Sequence, residues 1–319
     1  MGAIASERRN ALKNLILYRQ TEEGIDCPDA IAAAWIADRY LRNRSECLEI
    51  LGCSYQAAAP DVSNSDRIFV LDFSFPRSVV DSWVAADKRV VIIDHHRASQ
   101  EMLGNISRFS ERFEFNFDIS ESGASLVWKY FKSECLMPAF LRYVRDRALE
   151  QHLIPMTDEI HEASSNMQLE MVKTSRATGI PARNLVFAAF DHLSTLSQPQ
   201  LISFMGSRGS ELLKLNREAI NWAVARLKYG FLPHTDRCQI CNTPILMVSL
   251  LPDGSENRLI SGICAKLYKA VPEAPFVACV TADGAWSLHS DKDGSDVDVS
   301  AIARVYGGGG LRNEAKFKI

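Results

Sequence analysis

Four β-branched residues in a row, Val90, Val91, Ile92 and Ile93, run directly into Asp94, His95 and His96. A run with no polar face fits a strand covered on both sides, which is the situation of parallel sheets in α/β folds. In such folds ligands gather beyond the carboxyl ends of the strands, where this acid and its two imidazoles would stand. Taken alone, the tripeptide equally suits the start of a surface loop.

Two further segments repeat the pattern. Ile68-Phe69-Val70-Leu71 reads as a second buried strand and ends in Asp72, followed by Phe73-Ser74-Phe75-Pro76. Asp72 could cap a helix starting near Pro76, but Ser74 can fill that role and leave the carboxylate free. Upstream, Leu15-Ile16-Leu17-Tyr18 leads through a polar loop to Asp26-Cys27-Pro28-Asp29 and the alanine-rich Ala30-Ile31-Ala32-Ala33-Ala34-Trp35. This reads strand, loop, helix, with Asp29 in the first turn, where a carboxylate complements the helix dipole whether or not it binds metal.

These stations, in this order, resemble the motifs of the DHH phosphoesterase superfamily, which includes RecJ-type exonucleases, nanoRNA and cyclic-dinucleotide phosphodiesterases and family II pyrophosphatases. Cys27-Pro28-Asp29-Ala30, Leu71-Asp72-Phe73-Ser74, Asp94-His95-His96 and Tyr143-Val144-Arg145-Asp146-Arg147 match four motifs, and Ser122-Gly123-Ala124 opens a helix that resembles a further common segment. Near the C-terminus, Ser287-Leu288-His289-Ser290, Val297-Asp298-Val299-Ser300 and Tyr306-Gly307-Gly308-Gly309-Gly310 resemble the substrate-binding domain that often follows the catalytic one. The resemblance covers almost the whole chain.

It implies two divalent cations, usually manganese, with Asp72 in the bridging position. Asp29, Asp72, His95 and Asp146 match the ligands of one site. At the other, Ile25 and Cys27 stand where a His and an Asp are typical, so only a weak, thiolate-containing site remains unless Glu22, Glu23 or Asp26 replaces the lost oxygens. Carboxylates and imidazoles suit manganese or magnesium, whereas a thiolate favours zinc or softer ions. One firmly held Mn2+ or Mg2+ is therefore expected. His96 matches a residue that touches phosphate; its alternative is structural, because adjacent side chains in extended geometry point to opposite sides. Asp94 reads better as the acid that orients an imidazole than as a ligand. Asp146, on an ordinary amphipathic helix, has a surface ion pair with a neighbouring Arg as its plain alternative.

On the substrate side, Gly307, Gly308, Gly309 and Gly310 would let the backbone approach a phosphate or base, or would simply turn the chain. Arg312 and Asn313 match residues that follow the glycines in the family, while Leu311 replaces a His and His289 an Arg. The resemblance implies that this loop faces the metal site across an interdomain cleft.

The alternation of strand and helix predicts an α/β fold: a doubly wound parallel sheet in a catalytic domain over residues 1–196, a connecting helix and linker over 197–235, and a smaller α/β domain over 236–319. A chain of 319 residues with 47% hydrophobic content can bury two cores. No stretch reaches the roughly 18 consecutive apolar residues of a membrane span, and scattered cysteines fit reduced thiols, so a cytoplasmic location is expected. Cys238 and Cys241 form one C-x-x-C without a second ligand pair. A net charge of −3 gives no general drive toward long nucleic acids and favours small substrates. The resulting expectation is a hydrolase, a metal-dependent phosphoesterase of small nucleotides or short oligonucleotides. The altered ligands keep a second expectation open, an impaired homologue that binds nucleotide or a protein partner. The sequence leaves the oligomeric state open, a homodimer included.

Overall fold

The computed structural model describes residues 12–20, 27–44, 47–53, 58–103, 111–132, 134–233, 245–250, 259–271, 274–281, 284–290 and 297–318. Two compact units divide at Leu212 and Leu213.

The first unit begins with β1 (Lys13–Arg19), α1 (Pro28–Arg42), β2 (Cys47–Cys53), β3 (Arg67–Leu71), α2 (Arg77–Ala85), β4 (Arg89–Asp94), α3 (Arg97–Leu103) and β5 (Phe113–Phe117). The five strands form one sheet in the order β2-β1-β3-β4-β5, and every pairing is parallel. Strand order reverses between β1 and β3, so their carboxyl ends diverge there into the crevice where open α/β sheets bind ligands.

Both faces of the sheet are covered, as the all-apolar strands require. Ile16, Tyr18, Phe69, Leu71, Val91 and Ile93 face a core shared with α1 and with α4 (Gly123–Lys132) and α5 (Ala139–Ala148). Leu15, Leu17, Ile68, Val70, Val90 and Ile92 face the other core, closed by Val80 and Trp83 of α2 and Leu103 of α3. Each such side chain contributes about 1.5–3 kcal/mol by leaving water. Alanines 30, 32, 33, 34 and 37 are fully buried on α1, and their small size and high helix propensity let that helix lie close to its neighbours.

The unit is completed by α6 (Thr157–Thr178), α7 (Ala182–Leu193), α8 (Gln198–Leu201), a π-helical turn (Ile202–Gly206) and α9 (Ser207–Val224), which runs through the division into the second unit. The connecting helix expected within 197–235 ends at Val224. Lys228 instead opens β6 (Lys228–Gly230), pairing with Met247, a case of tertiary pairing overriding local propensity.

In the second unit β6 is followed by β7 (Ile245–Ser249), α10 (Ile260–Ala270), β8 (Val277–Val280), β9 (Ala285–His289), α11 (Val299–Val305), β10 (Gly309–Leu311) and β11 (Glu314–Lys318). Its mixed sheet has the order β10-β11-β9-β8-β7-β6, with β7 and β8 parallel. The chain is therefore α/β with a doubly wound parallel sheet followed by a smaller α/β unit.

The four glycines are not one open loop. Gly307 has φ +80° and stops α11, while Gly309 and Gly310 pair with Lys316 and Ala315 as part of β10. A Cβ on Gly308 would lie 2.1 Å from the Lys316 carbonyl oxygen, so a bulky residue there cannot spare the fold. Arg312, exposed, and Asn313 form the two-residue turn of the β10–β11 hairpin. Among the described residues, no helix is long and apolar enough to cross a membrane.

Candidate metal centre

Asp72 follows the last residue of β3 and is fully buried, with φ +63°. A non-glycine residue in the left-handed region carries strain, and such residues persist where the surroundings over-determine them, often at functional sites. Here the backbone N–H of Asp72 donates to Ile93 O at 2.9 Å, which ties the turn to β4. Burial pushes its carboxyl pKa up, but Arg19 and the histidines more than offset this, and it lies below the usual carboxylate range.

Asp29 reaches the same point from α1. Its Oδ1 accepts from Ser122 Oγ and Ala124 N, each at 2.8 Å, and its Oδ2 from Gly123 N at 2.7 Å. It thus satisfies the unpaired N–H groups at the start of α4. Burial, then the neighbouring charge of Asp72, raises its pKa to about 6. His95 Nε2 stands 3.2 Å from Asp72 Oδ1 and 3.8 Å from Asp29 Oδ2. Burial lowers the imidazole's pKa, yet the nearby carboxylate of Asp72 prevails and the net shift is upward.

Asp94, also fully buried, is the organiser of the histidine pair. Its Oδ1 accepts from His95 N at 2.7 Å and His96 N at 3.2 Å, and contacts His96 Nδ1 at 2.7 Å; its Oδ2 accepts from Ser74 Oγ at 3.1 Å. The two imidazoles do not point to opposite sides. Their centroids are 4.4 Å apart, because β4 ends at Asp94 and strand alternation no longer governs the residues beyond it.

Asp72, His95 and His96 each place a ligand atom within 4.8 Å of the others, which makes them a candidate metal-holding group. The donor set fits a divalent ion on one further observation. Asp72 Oδ1 is buried without a hydrogen-bond partner, although His95 Nε2 is close by. An orphaned carboxylate oxygen inside a protein is costly unless a cation satisfies it.

Asp146 has hydrogen-bond partners of its own. It is buried rather than in a surface ion pair, and its carboxylate accepts from Leu153 N at 3.0 Å, Ile154 N at 3.1 Å and Thr157 Oγ1. Those bonds hold the segment between α5 and α6. They also keep its pKa below the usual range against the burial that would raise it.

The residue that sequence reasoning passed over is Arg19, the last of β1. Its Nε and Nη2 donate to Asp72 Oδ2 at 3.2 and 3.0 Å, and Nη2 donates to Cys27 Sγ at 2.9 Å. Burial pushes the Cys27 thiol up to about 11, so it accepts as a neutral group. The available signal was positional, since Arg19 ends a buried strand as Asp72 and Asp94 do. Ile25, Glu22, Glu23, Asp26, Cys238 and Cys241 lie outside the described residues.

No protein-family model matches the sequence. An uncharacterized protein of Acanthamoeba polyphaga mimivirus is 21% identical over 302 residues, covering 90% of this chain and 64% of the relative, so this chain spans under two thirds of that protein's length. Among solved structures, a RecJ exonuclease bound to manganese has a TM-score of 0.53 at 10% identity, covering 98% of this chain and 86% of that one. The pGpG-specific phosphodiesterase PggH of Vibrio cholerae has a TM-score of 0.51 at 11% identity, covering 96% and 93%. RecJ of Thermus thermophilus with Mn2+ has a TM-score of 0.50 at 11% identity, covering 98% of this chain and 50% of that one. With its parallel sheet and the Asp-His-His strand end, the chain has a RecJ-like fold.

Proposed function

We propose that the chain is a metal-dependent phosphoesterase acting on small nucleotides or short oligonucleotides. The observation that carries this is the orphaned Oδ1 of Asp72, set among His95, Asp29 and His96 at the carboxyl ends of β3 and β4. The likeness in fold to a manganese-bound exonuclease and a dinucleotide phosphodiesterase supports it, and a net charge of −3 supports a small substrate over a long duplex.

Asp72 Oδ1, His95 Nε2 and Asp29 Oδ2 would hold the ion, manganese or magnesium by the hardness of the oxygens. A divalent ion supplies Lewis acidity, acidifying a bound water and polarising a phosphoryl oxygen. The chain's own groups do the rest. Asp94 fixes the His96 ring through Nδ1 and leaves Nε2 as its remaining coordinating or proton-transferring atom. Asp29, held by the α4 N-terminus, keeps a fixed orientation. Arg312 and Asn313, on the β10–β11 turn, are the proposed contacts to the substrate.

A second reading, a nucleotide-binding homologue with slow or no turnover, is favoured by one observation: Arg19 already neutralises the other oxygen of Asp72. A turnover screen with Mn2+ across dinucleotides, nucleoside bisphosphates, cyclic dinucleotides and single-stranded oligomers separates the two, with Asp72→Asn as control. Hydrolysis that the control abolishes supports the enzyme. Nucleotide binding without hydrolysis supports the second reading, and absence of both Mn2+ and nucleotide binding removes both.

A further inference from the structure

The two oxygens of Asp72 meet different surroundings. Oδ1 stands 3.2 Å from His95 Nε2 and lacks a hydrogen-bond partner. Oδ2 is taken by Arg19, through Nε at 3.2 Å and Nη2 at 3.0 Å, and the same Nη2 reaches Cys27 Sγ at 2.9 Å. The carboxylate is wholly buried, so each oxygen needs a positive or donating neighbour. A guanidinium answers that need permanently: it stays charged at any working pH and its planar fork suits a carboxylate.

We infer that Arg19 holds the place of a second cation beside Asp72, so that the site takes one divalent ion on the Oδ1 side and excludes another from the Oδ2 side. The inference rests on the metal-site reading above and adds what limits it. An ion on Oδ2 would need the lone pairs that Arg19 occupies, and would meet a like charge at contact distance. On that side the described residues offer the Cys27 sulfur, to which Arg19 already donates. Arg19 is thus a positioning residue, a tethered cation that chelators cannot remove. It holds Asp72 in the orientation that leaves Oδ1 directed at His95.

The test is metal stoichiometry and cobalt spectroscopy on the full chain. Apo-protein loaded with Co2+ should hold one equivalent, without a sulfur-to-cobalt charge-transfer band. Arg19→Lys, which keeps the charge, should also hold one. Arg19→His, which removes the permanent charge and offers an imidazole beside Asp72 Oδ2 and Cys27, should hold two and show the thiolate band. The inference is overturned by two equivalents or a thiolate band in the unaltered chain, or by Arg19→His holding one ion without the band. No bound ion in the unaltered chain would instead remove the metal-site reading itself, and this inference with it. The measurement on the unaltered chain and the Arg19→Lys variant keep the test decisive if Arg19→His does not fold.

Discussion

Gly123 lies against Asp72 so closely that a Cβ on it would fall 2.5 Å from Asp72 Oδ1, 2.7 Å from its Cβ and 2.8 Å from its Cγ. Because the clash involves the root of the side chain as well as its tip, Asp72 cannot swing clear. Gly123 also donates its N–H to Asp29, so one small residue sets the approach of α4 to both carboxylates. Gly123→Ala should destabilise the fold by about 1–3 kcal/mol, as over-packing does, and weaken Mn2+ binding. Thermal unfolding and calorimetric metal titration check this. A variant with lowered stability but unchanged Mn2+ affinity would exclude Asp72 as a ligand.

Asp94 touches no candidate ligand oxygen, yet it receives both histidine N–H groups, His96 Nδ1 and Ser74 Oγ. Asp94→Asn keeps the volume and removes half of that accepting capacity. Metal affinity should drop by about 10–100-fold, the usual cost of losing a partner that orients a ligand. Titration of the variant with Mn2+ gives the number; an affinity equal to that of the unaltered chain would reduce Asp94 to a packing role.

How much of this was legible in the sequence depended on where the determining contact lay. The strands ending at Leu71 and Asp94 were legible because their residues are apolar on both faces, and a polar residue after such a run has few reasons to be there. Asp29 was legible as a first-turn acid, although its hydrogen bonds to residues 122–124 were not. Arg19 was missed because a lone arginine after a strand has the composition of any surface end, and its partners lie 8 and 53 residues away. The structural alternative for His96 extended strand alternation to the two residues past Asp94, where it no longer applies. Gly309 and Gly310 were taken for loop because glycine is a poor strand former, and pairing with β11 outweighed that preference.

Asp146 makes a different prediction from the other acids. Its acceptors hold Leu153 N, Ile154 N and Thr157 Oγ1, donors left without that partner if the carboxylate is removed. Asp146→Ala should cost about 1–3 kcal/mol, the penalty of unsatisfied buried donors, while the metal equivalents per chain stay the same. Denaturant unfolding and metal analysis of the same sample test both halves. A lost equivalent at undiminished stability would return Asp146 to the ligand set.

Glu121 gives the first unit a charge-dependent contribution to its stability. Burial would raise its pKa, but Arg145 Nε at 2.8 Å, Lys129 Nζ at 2.7 Å and Ser125 Oγ at 2.7 Å hold it down to about 2. A carboxyl depressed in the folded state is ionised there while the unfolded chain already takes up protons, so its contribution is complete above the ordinary glutamate range. As pH falls from about 4.5 toward about 2, that contribution should decline and vanish. Glu121→Gln should therefore be less stable than the unaltered chain near neutrality and differ from it progressively less as the medium is acidified. Urea midpoints measured across that range for both proteins give the comparison. A difference that does not shrink at low pH would mean that the three donors act on Glu121 through packing and neutral hydrogen bonding rather than through its charge.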